Sequence, residues 1–314
     1  MRCILCDGED NRTISKIEIR HLVKIFFELL HHDISDEFGD ISVLRFVECQ
    51  NCGLRFFSPC LVGSSNFYEL LSQKMGTSYY QEEKTEYEFA AKHIGYHDRV
   101  LDIGSGRGLF SKYVKGSYTG LDFNPSAVKQ AFEDGICVVN ESMDAHLDRV
   151  PNRYTVITAF QLLEHVANPR AFIESCVNAL GAGGLLIIAV PSEDAFVSLQ
   201  ENAVLNMPPH HVSRWSVRAL MSLQMIFGIE LIALEHEKLS AIHFETYAQL
   251  VSERIIRALL HIQEKVLIDV SFQGRIVRML ARHLRPITRK AILHPTLYPN
   301  GHSIFAVYKK TSSS

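Results

Sequence analysis

The chain has 314 residues, 47% of them hydrophobic, and a formal net charge of −3. That is enough material for a large core with a small appended unit, and the near-neutral balance argues against a general nucleic-acid binder. Met1-Arg-Cys-Ile-Leu-Cys6 runs straight into polar residues and no apolar run reaches bilayer length, so a cytoplasmic protein without signal or transmembrane segment is expected.

In chain order, the first signal is a pair of knuckles, Cys3-x-x-Cys6 and Cys49-x-x-Cys52, each followed closely by glycine, Gly8 and Gly53. A C-x-x-C turn aims two thiolates at one tetrahedral ion, and a second turn completes the set. Cys3, Cys6, Cys49 and Cys52 are therefore the predicted zinc ligands. All four precede the rest of the chain's chemistry and leave no open position, which predicts a structural ion. Ile17 to Leu30 has the pattern of an amphipathic helix inserted between the knuckles. Cys60, Cys137 and Cys176 sit in apolar stretches and are expected to pack.

The densest motif follows: Arg99-Val-Leu-Asp-Ile-Gly-Ser-Gly-Arg-Gly-Leu109, then Tyr118-Thr-Gly-Leu-Asp122. An apolar strand, Val100 to Ile103, enters a loop with glycine at 104, 106 and 108. A helix-forming stretch, Leu109 to Val114, follows, and a second strand delivers Asp122. This is half of a nucleotide-binding α/β fold. A dinucleotide site would read G-x-G-x-x-G. Here the third glycine comes one residue early, at Gly108, and Asp102 precedes the loop. A carboxylate there opposes a pyrophosphate and suits a ligand with an ammonium group.

Asp102 with Gly104, Gly106 and Gly108, followed by Asp122, resembles the first motifs of the class I S-adenosylmethionine-dependent methyltransferases. Downstream, Tyr154 to Phe160 reads as a buried strand, and Gln161-Leu-Leu-Glu-His-Val-Ala-Asn-Pro169 is similar to the L-E-H-V-x-x-P segment of many small-molecule members. Asn168-Pro169 opens a helix, Gly181-Ala-Gly-Gly184 stops it, and Leu185 to Val190 is a continuous apolar run of parallel-strand type. The resemblance implies a Rossmann-like α/β sheet of seven strands, the last antiparallel, with an N-terminal zinc-binding unit and a C-terminal helical insertion. It implies S-adenosylmethionine over the Gly104, Ser105, Gly106 and Gly108 loop. Asp102 and the loop backbone would hold the methionyl end, and Asp122 the ribose hydroxyls. Phe123 would line the adenine, Met143 and Asp144 its far edge, and Phe160 or Gln161 the methionyl group. Cys49 to Pro59 resembles the second knuckle of a subgroup with an N-terminal zinc ribbon, which includes sugar-nucleotide C-methyltransferases and enzymes linked to cell-surface polysaccharides. The resemblance to the sugar C-methyltransferases does not extend to their C-terminal domain, so C-methylation of a sugar is not the expected reaction.

Methyl transfer from sulfonium needs an aligned nucleophile and, for a hydroxyl or carbon acid, a proton acceptor. His165 follows the fourth strand of the sheet. Met207-Pro-Pro-His-His-Val-Ser-Arg-Trp215 follows the fifth, and resembles the P-H-H-x-S-x-[FW] segment of the same subgroup. His210, His211 and His165 are the candidate bases, with Ser213 expected to cap a helix near Trp215. Glu164 reads equally as a cofactor-side acid or a helix-start carboxylate.

Ile229 to Leu234 and His302 to Tyr308 read as the last two strands. Phe244 to Leu293 between them reads as largely helical, with a break at Pro286. From Arg254 to Lys290 nine positive residues, Lys265 among them, face two negative ones, with Arg278, Arg282 and Arg285 at helical spacing. Most of these charges are expected on a solvated face. The sharper reading is a lid over a phosphorylated or lipid-linked acceptor, or a peripheral membrane contact. The expected division is 1–65 for the zinc unit, 66–243 for the methyltransferase core, 244–296 for the helical insertion and 297–314 for the last strand and a Ser-rich tail. The expected activity is methylation of a small molecule, with a sugar-nucleotide, glycan or lipid-linked precursor as the favoured acceptor. The alternatives are an RNA- or tRNA-directed methyltransferase and a catalytically silent binding protein of the same fold.

Overall fold

The computed structural model describes residues 1–75, 85–150, 154–264, 267–292 and 298–311. Lys265, Leu293 and the Ser-rich end 312–314 lie outside the described residues. The N-terminal region contains strand β1 (Asn11–Glu18), helix α1 (Ile19–Leu30), β2 (Val43–Cys49), β3 (Arg55–Ser58) and α2 (Ser65–Met75). Then come α3 (Thr85–Ala91), β4 (Arg99–Ile103), β5 (Ser117–Leu121), α4 (Pro125–Glu133), β6 (Val138–Val139) and α5 (Met143–Arg149). The chain continues through β7 (Tyr154–Phe160), α6 (Pro169–Ala179), β8 (Leu180–Pro191), β9 (Ser213–Arg214) and α7 (Val217–Phe227). It closes with β10 (Ile229–Lys238), α8 (Ala241–Leu260), α9 (Phe272–Ala291) and β11 (Asn300–Lys310).

Seven strands form one sheet in the order β10-β11-β8-β7-β4-β5-β6. Strands β4 to β8 run parallel to their neighbours within this set, and β11 is antiparallel to both β10 and β8. The expected sheet, with its last strand reversed, is therefore present. Its apolar runs lack alternation because both faces are covered. Leu101, Ile157, Leu186 and Ile188 face one core, while Val100, Val156, Phe160 and Ile187 face the other, against Tyr87 and Phe110.

A second sheet, β1-β2-β3-β9, is built from the N-terminal region and the two residues of β9. Its third core packs Leu22, Phe26 and Leu30 of α1 against Phe46, Phe57 and Phe67. On the opposite side, Cys3, Leu5, Cys49, Leu54 and Phe56 share the main core with Trp215, Leu220 and Tyr308. The N-terminal region thus completes the hydrophobic interior of the seven-stranded sheet.

Several local expectations are corrected. Ile17 belongs to β1, paired with Leu44, so the inserted helix begins at Ile19. Leu109 to Tyr113 forms a 3-10 turn that ends at Val114 instead of an α-helix. Strand β8 starts at Leu180 and includes the 181–184 glycine stretch, because Leu180 already pairs with Tyr154. Pro286 lies inside α9. The first of the two long helices ends at Leu260 and the second begins at Phe272, and burial of α9 against α8, where Thr288 meets Ser252 at 2.7 Å, outweighs the backbone bond that Pro286 cannot make. Cys176 is buried and Cys60 half-buried, but Cys137 is exposed and does not pack as expected. Much of the positive charge near the end is neutralised locally: Arg257 pairs with Glu201 and Asp269, Arg254 with Glu264, and Arg285 and Arg289 with Glu245. No helix among the described residues is long and apolar enough to cross a membrane.

Candidate functional site

The glycine loop sits where β4 leaves the sheet beside β5. Gly104, Gly106 and Gly108 have φ of 72°, 56° and 72°, the left-handed region that a side chain disfavours. At Gly108 a Cβ would also fall 2.7 Å from Ile136 and 2.9 Å from Val138. The loop returns to the sheet edge through Gly104 N–H and Ser105 N–H, both donating to the Leu121 carbonyl at 2.9 and 3.0 Å. These backbone conformations leave a cradle of peptide groups with no side chain in the way, which fits a ligand approaching the main chain.

Asp122, at the end of β5, faces that cradle. Its carboxylate accepts from the N–H of Gly106 and of Asn124, each at 2.7 Å. An acid so aimed suits a ligand with adjacent hydroxyls. Phe123 beside it is 75% exposed, leaving its ring open to contact. Asp144 is exposed at the start of α5, whereas Met143 is buried with its sulfur 3.7 Å from Cys176 Sγ. Phe160 is buried against Phe110 and Tyr87, and Gln161 has a left-handed φ of 51° with its side chain donating to Ser303 Oγ at 3.1 Å.

Asp102 is placed differently from the expectation of a direct contact. It is 2% exposed and lies beneath the loop. Tyr118 Oη donates to one oxygen at 2.9 Å and Thr158 Oγ1 to the other at 2.7 Å. Burial, then the Asp102 charge, push the Tyr118 phenol far above its ordinary range. Asp102 therefore supports the loop through two neighbouring strands. Sequence reasoning misses Tyr118 and Thr158 as site residues, because other hydroxyl residues share both strands, Ser117 and Thr119 in β5 and Tyr154 and Thr155 in β7, and only strand register selects the pair that meets Asp102.

Leu162, whose methyl groups lie 3.1 and 3.3 Å from where a Gly104 Cβ would be, connects the glycine loop to the next cluster. Three residues on, His165 ends a 3-10 turn. Its ring centroid lies 4.6 Å from that of His210 and 4.7 Å from that of His211, and the latter two stack at 4.5 Å. The two segments are tied by Val212 N–H donating to the Glu164 carbonyl at 2.8 Å, and by Ser213 Oγ donating to the Leu163 carbonyl at 3.3 Å. Ser213 is thus in β9 and receives Trp215 Nε1–H at 3.1 Å; the helix cap expected of it is made by Ser216, which receives Ala219 N–H. Arg214 next to it is buried, donating to the Asn206 carbonyl at 2.6 and 3.0 Å and stacking over Phe46 and Phe57.

His165 Nδ1 donates to the His210 carbonyl and His210 Nδ1 to the Leu205 carbonyl, each at 2.7 Å. His211 Nδ1 meets Asn206 Oδ1 at 3.1 Å. Because a carbonyl only accepts, Nδ1 carries the proton in His165 and His210, and Nε2 carries the lone pair. Burial, partly offset by the bond to His210, lowers His165 to about 4. Burial and then the His165 charge lower His210 to about 3. Burial and then the His210 charge hold His211 well below its ordinary value. All three are neutral at physiological pH.

The cysteine pairs converge as their spacing predicts. The four sulfurs lie within 4.8 Å of one another, with Cys3–Cys52 at 3.6 Å and Cys6–Cys49 at 3.5 Å. An ion with sulfur arms of about 2.3 Å needs sulfurs about 3.8 Å apart, so the donor set fits a tetrahedral zinc. The bond to Cys52 lowers the Cys3 thiol to about 5, while burial raises Cys6 to about 11. Thiolates gathered this closely repel one another, and a cation among them relieves that repulsion. Arg170 of α6 holds the first knuckle, donating to the Leu5 carbonyl at 3.1 Å, and Arg218 of α7 holds the second at the Gln50 carbonyl.

Comparison with known proteins agrees with this geometry. The family described as "Methyltransferase domain" matches residues 77–234, half of the chain. The chain resembles the ubiquinone biosynthesis O-methyltransferase of Pectobacterium carotovorum subsp. carotovorum (strain PC1), 24% identical over 162 residues that cover 46% of this chain and 66% of that protein. It also resembles the enzyme of that name from Proteus mirabilis (strain HI4320), 32% identical over 124 residues covering 35% and 51%. The chain therefore spans about half to two thirds of the length of these relatives. Among solved structures, a SAM dependent methyltransferase from Archaeoglobus fulgidus aligns with 78% of this chain and 100% of its own, at 20% identity and a TM-score of 0.49. The family match covers half of the chain, and the chain belongs to the class I methyltransferase family.

Proposed function

We propose that this member of the methyltransferase family transfers the methyl group of S-adenosylmethionine to a hydroxyl oxygen of a small molecule. The observation that carries the reading is the left-handed glycine loop facing the Asp122 carboxylate at the edge of the sheet. The Gly104, Ser105, Gly106 and Gly108 backbone would hold the methionyl end, supported from below by Asp102. Asp122 would take the ribose hydroxyls, Phe123 the adenine face, Met143 and Asp144 its far edge, and Phe160 and Gln161 the wall beside the methionyl group. When bound, the cofactor supplies an electrophilic methyl on sulfonium. The protein's own task is to align the acceptor in line with it and to manage the acceptor's proton.

That task falls to His165, His210 and His211 on the next two loops of the same sheet edge. Neutral imidazoles with their Nδ1 atoms engaged present Nε2 to an acceptor hydroxyl, and the Pro209-His-His211 segment is our candidate for the general base. The names of the relatives, ubiquinone biosynthesis O-methyltransferases, favour oxygen as the acceptor atom and a small molecule as its class, and we take a phenol as the first acceptor to test. A sugar-nucleotide or glycan precursor is the finer alternative, supported by the likeness of Cys49 to Pro59 to polysaccharide-associated enzymes and by the Arg278, Arg282 and Arg285 cluster. We assign the four cysteines a structural zinc, and the segments 1–65, 66–243, 244–296 and 297–314 the roles of zinc unit, catalytic core, cap and closing strand.

The test is calorimetry with S-adenosylmethionine followed by a methyl-transfer screen of phenols against nucleotide-sugars. Asp122→Ala is expected to weaken cofactor binding by about 10- to 100-fold, the loss of a charged hydrogen-bond partner. Unchanged affinity in that variant would refute the cofactor placement, and turnover of nucleotide-sugars alone would exchange the acceptor class.

A further inference from the structure

The histidine cluster has the construction of a metal centre. We propose that His165, His210 and His211 form a second metal site, three imidazoles binding one divalent transition ion of the zinc class with a fourth position open to an oxygen ligand. One ring nitrogen from each residue lies within 4.8 Å of the other two. A tetrahedral ion with nitrogen arms of about 2.1 Å needs them about 3.4 Å apart, so loading draws the three rings inward. In His165 and His210 the Nδ1–H is fixed to a backbone carbonyl, the arrangement by which proteins orient a metal-binding imidazole and leave Nε2 as the donor.

Charge and access agree. The buried Glu164 carboxyl lies 3.9 Å from His165 Nε2, a group able to offset part of an ion's charge. His165 is the half-exposed member, with 18% of its side chain accessible, while His210 and His211 are buried. The open position therefore lies on the His165 side, toward the segment that reaches the glycine loop through Leu162. Three neutral nitrogens select borderline ions over magnesium or calcium, which prefer oxygen. The contrast with the sulfur cluster is one of coordination: four thiolates close a structural site, whereas three protein ligands leave room for water or a hydroxyl. With an ion bound the Nε2 lone pairs are occupied, so a hydroxyl held at the open position would lose its proton to solvent, helped by the ion's stabilisation of the oxyanion, in place of transfer to a free imidazole. The site itself stands apart from the identity of the methyl acceptor.

The experiment titrates the full chain, purified with zinc in its thiolate site, with Co²⁺ and follows absorption and metal stoichiometry. The expected result is uptake of one further equivalent, with cobalt d–d bands and no sulfur-to-cobalt charge transfer. His165→Gln, the least buried change, and His211→Ala should each weaken that uptake by 10-fold or more while retaining the wild-type circular dichroism. Failure of the wild-type chain to bind the added equivalent overturns the proposal without reference to any variant. So does uptake that shows sulfur charge transfer, or uptake equal to wild type in both folded variants. A chain that binds the ion but transfers no methyl group would retain this site and refute the proposed activity instead.

Discussion

The sulfur cluster and the imidazole cluster are assembled by opposite means. Each knuckle of the first is a local turn, with Cys49 N–H bonded to the Leu54 carbonyl at 2.9 Å, so two donors are set by neighbouring residues before any tertiary contact forms. The second draws its three rings from loops 45 residues apart, joined by the Val212 to Glu164 backbone bond. One is a closed structural arrangement written into spacing, and the other exists only because strands β7 and β8 lie side by side. A local site is robust to changes in the core but depends on its ion. A site made by packing should be sensitive to residues that never touch it.

The largest expected effect breaks the first half of this comparison. Stripping the metal, or the change Cys49→Ser, should unfold the N-terminal sheet, since structural zinc in small units supplies about 10 kcal/mol of folding energy. Limited proteolysis would then cut within residues 1–65. If the stripped protein kept wild-type protection there, the hydrophobic contacts of Phe46, Phe57 and Phe26 would be sufficient alone.

Next in size is Arg214→Ala. Arg214 lies between the clusters, 3.6 Å from the buried Glu193, and holds the Asn206 carbonyl of the histidine loop. Because Arg55 still pairs with Glu193 at 2.7 Å, the loss should fall near the lower end of the 3–5 kcal/mol typical of a broken buried pair, about 3 kcal/mol in chemical denaturation. It should disturb the histidines while leaving the cysteine site loaded. Equal loss at both clusters would show that they fold as one unit.

Acid sensitivity sharpens the contrast once a histidine pair outside both clusters is accounted for. His302 stacks on His243 at 5.0 Å, and burial, then the His243 charge, lower it to about 4 from 6.5. Between those values the unfolded chain binds the proton and the folded chain does not. The stability present above pH 6.5 should fall as pH drops toward 4, by up to about 3 kcal/mol. His302→Asn should reduce that slope in a pH series of denaturation midpoints by the share of His302, the remainder belonging to His165, His210 and His211, whose values are lowered in the same direction; an unaltered slope would assign all of it to other groups.

The smallest effect is Ser213→Ala. It removes the hydroxyl that links Trp215 to the Leu163 carbonyl, a loss of about 1 kcal/mol. Thermal denaturation should register it without loss of zinc. A shift below the noise would mean that the Val212 backbone bond alone joins the two loops.

The seven-stranded sheet was legible because its apolar runs, glycine turns and Asn-Pro helix start are all local patterns. So were the cysteine pairs and the Asp102, Gly104, Gly106, Gly108 and Asp122 frame, whose spacing is itself the chemistry. The His165 and His210 segments were legible as candidates by resemblance and by position after adjacent strands. Their meeting was not, because no periodicity spans two loops. Nor did the pattern show that Asp102 would be covered by Tyr118 and Thr158, since strand register decides which hydroxyls lie opposite a carboxylate. The course of α9 through Pro286 and the recruitment of Ser213 and Arg214 into the N-terminal sheet had the same origin. Sequence alone determined which backbone turns and ligand pairs form, because those depend on residues a few positions apart. Tertiary structure decided which side chains share a buried space, because only the packing of the two sheets brings β3, β9 and the histidine loops together, and that burial sets their protonation.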